Sequence, residues 1–463
     1  MITLRFDQLA TMSGGQLRTP RYRSRTFLGI SVDSREVEPD ELFFAIRGER
    51  NDGHDYIEQA VSHGASGIVA RTGFFAERPL PKNVAVVEVA DTHAAMLQLA
   101  AEYLKTMPAK RLGITGSNGK TTTKEFTFRL LSAVEHDIYR SPGNFNNLYG
   151  IPLAVFAMPR ETRLAILEMG ISVPGEMDRL ASIVRPHLIA VTNVGPTHLE
   201  FLGTVEAVAR EKLHALQYCE PGAPLVVNAD DPVLMAEVKR VHARPITFGI
   251  HALADFRPDS VRETHDGTIV SIEKHAFRLP LFGQYQVYNL LAAYAITRAI
   301  GLDFTRVDTS TIELSTASMR GELVTAGGIT FIADCYNANP ESVKAGLESF
   351  SNYPNGRRKV VVLGDMLELG DTSTLYHRGI GEAIGGYSFD LVIAVGPMSR
   401  FIIDTARVSG TTAGKLHHFA DAQSCAAAAQ DLIRPGDLVY LKGSRGIGLE
   451  AVLKRFTTDE REA

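Results

Sequence analysis

The chain has little that would take it out of ordinary globular chemistry. Its cysteines, Cys219, Cys335 and Cys425, are scattered and form no C-x-x-C pair. That excludes a disulfide framework and a cysteine zinc site, and it fits a reducing, cytoplasmic setting. A basic surplus is missing: the formal net charge is −5, which argues against a general nucleic-acid binder. No run reaches the ~20 apolar residues that a membrane helix needs. Residues Met1 to Leu17 lack the basic-then-apolar layout of a secretion signal. Low-complexity segments and short internal repeats are absent as well. What is present is a 463-residue chain, 45% hydrophobic and 22% charged, which predicts a globular protein of about three domains.

The chain is organised around Gly113-Ile-Thr-Gly-Ser-Asn-Gly-Lys-Thr-Thr-Thr123. Arg111 to Thr115 reads as the end of a buried strand. Lys120 to Val134 reads as a helix, with Phe126, Leu130, Leu131 and Val134 on one side. Strand, glycine-rich turn and helix N-terminus together make an anion site, because free N–H groups and the helix dipole point outward there. Gly116 and Gly119 permit backbone shapes that a Cβ would block. Lys120 can reach terminal phosphates, and the Thr121 hydroxyl can hold magnesium. The usual phosphate-loop pattern wants a glycine where Ile114 stands, but a plain βα turn does not explain a lysine and three threonines at a helix start.

Polar residues recur just past apolar strands. In the first region, strands are expected over Phe27 to Val32, Glu41 to Ile46 and Gly67 to Ala70, with a helix over Tyr56 to His63. The segments Asp33-Ser34-Arg35 and Arg47 to His54, with Asn51, Asp52 and His54, can bind ligand hydroxyls and phosphates or simply serve as turn chemistry. Thr106 to Lys110 reads as a linker. Farther on, Ser141 to Asn147 is a loop whose Asn144, Asn146 and Asn147 amides can bind a polar substrate. Glu168 ends the strand Leu164 to Leu167, where α/β folds place metal ligands. His198 follows the strand Leu188 to Thr192 in the same way. The helical stretch Thr204 to Tyr218 carries Lys212 on what reads as a solvated face. Tyr288 to Ile300 is a further helix, with Asn289 at its start. From Thr330 onward, strands at Thr330 to Ala333, Lys359 to Leu363, Leu391 to Val395 and Leu438 to Leu441 alternate with helices. That layout predicts a doubly wound parallel sheet whose loops, Asp334 to Pro340, Gly364 to Gly370 and Lys442 to Gly446, form a crevice.

These strings resemble the Mur ligases, ATP-dependent amide-forming enzymes of peptidoglycan synthesis. The similarity spans Asp33-Ser-Arg35 and Asn51-Asp-Gly-His54, then Gly113 to Thr122 with Glu168 and His198, then Tyr336-Asn-Ala-Asn-Pro340 and Val362 to Gly370. It implies an α/β protein of three domains: a small substrate domain (1–107), a central phosphate-loop ATPase-type domain with a parallel sheet (108–316) and a C-terminal Rossmann-like domain (317–463). The last string resembles the members that join D-alanyl-D-alanine to UDP-N-acetylmuramoyl-tripeptide through an acyl phosphate. ATP and Mg2+ are the implied cofactors; a cytoplasmic protein without nucleic-acid or membrane partners is expected from composition, and a monomer from the lack of a long exposed apolar helix.

The resemblance also distributes roles. Asp33, Ser34, Arg35, Asn51, Asp52 and His54 would hold the UDP end. Gly116, Ser117, Asn118, Gly119, Lys120, Thr121 and Thr122 would hold the phosphates. Asn193 and Asn289 would lie near adenine, and Arg320 and Asp334 would reach the nucleotide from the third domain. Thr121 would hold one magnesium, and Glu168 and His198 would ligate a second, which Lys212 as a carbamate would help to place. Tyr336, Asn337, Asn339, Asp365 and Glu368 would position the dipeptide, with Asp365 and His198 as alternatives for the base. Family members often have Gly-Glu where this chain has Leu213-His214, and a histidine near Gln284 or Gln286. Rival readings are another Mur ligase, a folylpolyglutamate synthetase, against which the Asp365 to Gly370 string argues, and a regulatory ATPase that needs no acceptor.

Overall fold

Apolar runs set the sheets. In the first region Leu42–Phe44, Gly67–Arg71 and Ala85–Val89 pair in parallel, flanked by Ile30–Ser31 and the antiparallel Gln16–Leu17. The computed structural model describes residues 1–48, 51–242, 244–264, 267–281, 283–315, 318–353 and 356–457. Glu49 and Arg50 of the expected polar loop lie outside the described residues. The expected strand from Phe27 to Val32 is two strands, Thr26–Leu28 and Ile30–Ser31, in different sheets. Gly29 divides them with φ +82°, a left-handed turn that glycine adopts without strain.

The second region holds six parallel strands in the order Ile246–Phe248, Leu225–Asn228, Leu188–Val191, Lys110–Thr115, Leu164–Glu168, Ile138–Arg140. The phosphate-loop strand is therefore central. Its neighbours end in Glu168 on one side and lead to His198 on the other, so topology gathers these residues at one sheet edge. Ser260–Thr264, Gly267–Ile272 and His275–Leu279 form a separate antiparallel sheet, as the loss of helical period there suggests.

The third region is a six-stranded sheet, Glu322–Ala326, Ile329–Asp334, Leu438–Lys442, Lys359–Gly364, Leu391–Val395, Leu416–Phe419. It is parallel except for the first strand, which pairs antiparallel at the edge. Its two faces pack separate apolar clusters under helices. Among the described residues no helix is long and apolar enough to cross a membrane.

The helix Thr92–Lys105, which the strand-and-motif reading passes over, joins the first two regions. It buries Ala95, Met96, Leu99 and Tyr103 in one cluster that runs from Ile2 through Phe156 to Val238. Backbone pairing continues across the same seam, with the Ile2 N–H donating to the Phe156 carbonyl at 2.6 Å. The first two regions thus share a core, while the third has its own. Leu99→Ala is expected to cost about 2–5 kcal/mol, as for other fully buried leucines. Hydrogen exchange should show amides of both the Ala85–Val89 and Leu164–Glu168 strands losing protection together.

Candidate active site

The phosphate loop is shaped by close backbone approach. Gly116 has φ +150°, and a Cβ there would collide with the Thr192 side chain; Gly119, φ +80°, sits against Asn289 Oδ1. Asn193 fastens the loop from the neighbouring strand end. Its Oδ1 accepts the Asn118 N–H at 2.8 Å, and its carbonyl accepts the Ser117 N–H at 2.9 Å. Lys120 Nζ donates to the Gly116 carbonyl at 2.7 Å and is near the Ser117 carbonyl at 3.3 Å. Burial pulls the Lys120 amine below its ordinary pKa, opposed by the Glu168 carboxylate. The helix behind Asn289 starts at Tyr285, a turn earlier than its apolar pattern suggests. Asn289 is buried in it, donating to Gln286 Oε1 at 3.0 Å, and Gln286 donates to the Arg320 carbonyl at 3.1 Å.

Glu168 is the hub. It is 1% exposed, yet both carboxylate oxygens are engaged: Thr121 Oγ1 donates to Oε2 at 2.8 Å and Asn146 Nδ2 to Oε1 at 2.8 Å. Lys124 Nζ lies 3.8 Å from Oε2. Lys124 itself is fully buried, and it donates to the Ser141 and Gly143 carbonyls at 2.8 and 2.7 Å. A buried ammonium of this kind ties the asparagine loop to the phosphate-loop helix. Sequence reasoning missed it, although Lys120 and Lys124 are four apart on one helix face. Asn144 and Asn147 line the cleft; Asn147 Oδ1 also accepts the Gly150 N–H at 2.8 Å.

His198, φ +55°, caps the helix Leu199–Leu202. Its Nδ1 lies 2.9 Å from Glu368 Oε2. The Glu368 carboxyl is held below its usual pKa by His198. Lys212 is buried, not on a solvated face. Burial drives its amine well below the ordinary lysine range, and the Lys120 charge adds to this. The helix ends at Leu213 and tightens into a 3-10 turn, His214–Tyr218, with His214 beside Asp178. Among the described residues no three His, Cys, Asp or Glu side chains gather as a metal cage. The Thr121–Glu168 contact nevertheless has the donor chemistry of a magnesium site, a hydroxyl and a carboxylate beside a phosphate loop.

The third region closes the other wall of a cleft of about 880 Å³, to which Lys120, Thr121, Glu168, Asn193, His198, Asn289, Arg320, Asp334, Tyr336, Asn337 and Glu368 all contribute. Asp334 is anchored at its Oδ2 by Lys442 at 2.9 Å, Tyr440 at 3.1 Å and, from the second region, Tyr285 at 3.3 Å. The Arg320 guanidinium lies 3.9 Å over the Tyr336 ring. Asn339 caps the helix Pro340–Asn352 and pairs with the phosphate loop, its Nδ2 donating to Asn118 Oδ1 at 2.6 Å.

One expectation shifts. Asp365 is buried and does not line the cleft; its carboxylate accepts the Met398 and Ser399 N–H groups at 3.1 and 2.6 Å. A carboxylate so occupied is a loop anchor, not a base for the cleft. Asp33 to Arg35 and Asn51 to His54, assigned to the UDP end and not to the nucleotide cleft, lie away from the cleft wall. Arg35 pairs with Asp33 at 2.5 Å, Ser34 donates to Gln59 at 2.8 Å, and His54 Nδ1 is 2.6 Å from Asp52 Oδ1.

Family models match along nearly the whole chain: the Mur ligase family catalytic domain over 26–104, the Mur ligase middle domain over 114–297, and the Mur ligase glutamate ligase domain over 319–445. The UDP-N-acetylmuramoyl-tripeptide–D-alanyl-D-alanine ligase of Bacillus subtilis is 33% identical over 457 residues, covering 98% of each chain. The chain belongs to the Mur ligase family. Among solved structures, MurF from Acinetobacter baumannii superposes with a TM-score of 0.87 at 27% identity, covering 98% of this chain and 99% of that one. MurF from Thermotoga maritima in complex with ADP gives 0.79 at 28% identity, covering 94% and 99%. Within this Mur ligase, Lys124→Met should lower stability by about 3–5 kcal/mol, because it leaves the buried Glu168 carboxylate short of its cation. The urea midpoint should fall with m unchanged.

Proposed function

We propose that this Mur ligase uses ATP to join D-alanyl-D-alanine to UDP-N-acetylmuramoyl-tripeptide, releasing ADP and phosphate. Full-length similarity to the Bacillus ligase supports the substrates. The observation that carries the chemistry is the phosphate loop bonded through Thr121 to a buried strand-end carboxylate, in a cleft closed by another domain. In the reaction, the tripeptide carboxylate attacks the γ-phosphorus and ADP departs, leaving an acyl phosphate. The neutral amine of the dipeptide then attacks the acyl carbon, phosphate leaves, and an amide remains.

Phosphoryl transfer asks mainly for positioning and charge neutralisation. Two anionic oxygens at ~4 Å repel by ~4 kcal/mol at an effective dielectric of ~20. Lys120 and the loop N–H groups offset that repulsion at the phosphates. Thr121 and Glu168 would hold magnesium, whose bound charge offsets it further. His198 and Lys212 complete the proposed set, Lys212 as a carbamate. An amine kept unprotonated by burial is the form that adds CO2, and the carbamate would turn a buried cation into an oxygen ligand. Asn193 and Asn289 fix the loop in this reading, and Asp33 to Arg35 with Asn51 to His54 take the UDP end.

Phosphate release from ATP should require both the tripeptide substrate and the dipeptide. Release with neither would support the ATPase reading, and a single amino acid replacing the dipeptide would point to another family member. Lys120→Ala should abolish turnover with the circular-dichroism spectrum and melting temperature retained. For Lys212, 13C-bicarbonate should give a carbamate resonance that is absent in Lys212→Met; its absence from the wild-type chain would remove that assignment.

A further inference from the structure

The crevice of the third region contains one feature that the assigned residues leave unused. Three neighbouring strands end there, and Ser444 ties their loops together. Its N–H donates to the Asp365 carbonyl at 3.1 Å, its Oγ accepts the Leu367 N–H at 3.0 Å, and the same hydroxyl reaches the Ala338 carbonyl at 3.4 Å. Two side chains project from this fastened frame. Leu367 is 46% exposed, and the bare Gly446 lets it lie close, its Cδ1 being 3.1 Å from where a Cβ would stand. Arg445, next in the chain to Gly446, has a side chain 60% exposed.

Charge singles out Arg445. The loops Asp334 to Pro340, Gly364 to Gly370 and Lys442 to Gly446 contain two cationic residues, Lys442 and Arg445. Lys442 is buried and committed to Asp334 at 2.9 Å. Arg445 has looser neighbours: Glu450 at 3.6 Å, and the ring of the cleft residue Tyr336 at 5.8 Å. Beside Leu367, Glu368 holds φ +61°, a left-handed conformation uncommon outside glycine and a mark of a loop shaped for use. An exposed guanidinium beside an exposed leucine matches what the dipeptide offers besides its amine, a terminal carboxylate and methyl groups. Arginine suits a carboxylate because its planar fork donates two parallel hydrogen bonds.

We propose that Arg445 binds the C-terminal carboxylate of the acceptor dipeptide while Leu367 packs against its side-chain methyls. The proposal rests on the ligase reading above. Its test is a comparison of acceptors on the full-length chain at saturating ATP and UDP-N-acetylmuramoyl-tripeptide. With D-alanyl-D-alanine, Arg445→Gln should raise the acceptor KM roughly 10- to 100-fold, the worth of a charged hydrogen bond, and leave the ATP KM within about twofold. Arg445→Lys should fall between the two. With D-alanyl-D-alaninamide, which lacks the carboxylate, the wild type should lose that advantage and Arg445→Gln should match it. An equal penalty on acid and amide, or an unchanged acceptor KM, overturns the proposal while the ligase reading stands. A wild-type chain that makes no amide from the dipeptide overturns the ligase reading and this subsite with it.

Discussion

The buried carboxylate of Glu168 is the constraint around which the centre of the molecule is arranged. An ionised carboxylate withdrawn from water is costly unless every lone pair is matched. Here the matching groups come from separate segments: Thr121 from the phosphate-loop helix, Asn146 from the asparagine loop, and Lys124 nearby. Each partner is thereby given a fixed place. The hydroxyl and the carboxylate end up side by side at the mouth of the loop, where a hard cation finds oxygen ligands. The asparagine loop is drawn against the helix because Lys124 takes two of its carbonyls. The contacts that satisfy the buried carboxylate are also those that fix the proposed site.

A contrast in bonding separates the domains. The first two regions share a continuous apolar core. The third touches them at the cleft through polar pairs: Asn118 with Asn339, Tyr285 with Asp334, Gln286 with the Arg320 carbonyl, and His198 with Glu368. Polar interfaces between domains resemble transient ones and exchange readily for water. The seam that must admit ATP and an acceptor is the weakly bonded one. The seam between the first and second regions is apolar.

Much of this was legible in the residues. Parallel strands covered on both faces read as short apolar runs, and the strands bearing Thr115, Glu168 and Asp334 were found that way. Polar residues just past those strands marked the cleft. What escaped notice has physical causes. The run Ala85–Val89 contains Glu88, a buried carboxylate paired with Arg18, and the pairing partner is distant in sequence. Lys124 and Lys212 look like surface lysines because burial of an amine depends on tertiary neighbours that no local period encodes. Asp365 looked like a site residue from its motif, but its capping role appears only when Met398 and Ser399 come alongside.

The lysines supply a last step of argument. Lys120 and Lys124 both face Glu168, and Lys120 in turn bears on Lys212. Glu168 thus bears on Lys120 and Lys124, while Lys212 is offset by the adjacent Glu211. Burial lowers the pKa of each amine, because desolvation penalises the charged form. A surface would relieve this with water. Here the relief available is a polyanion lodged in the loop, or conversion of one amine to an anion. Each raises the proton affinity of the amines that remain, so the lysine nearest the phosphates becomes a firmer cation as the nucleotide arrives. Lys212, whose amine burial holds well below the ordinary lysine range, is the one proposed to carry that change.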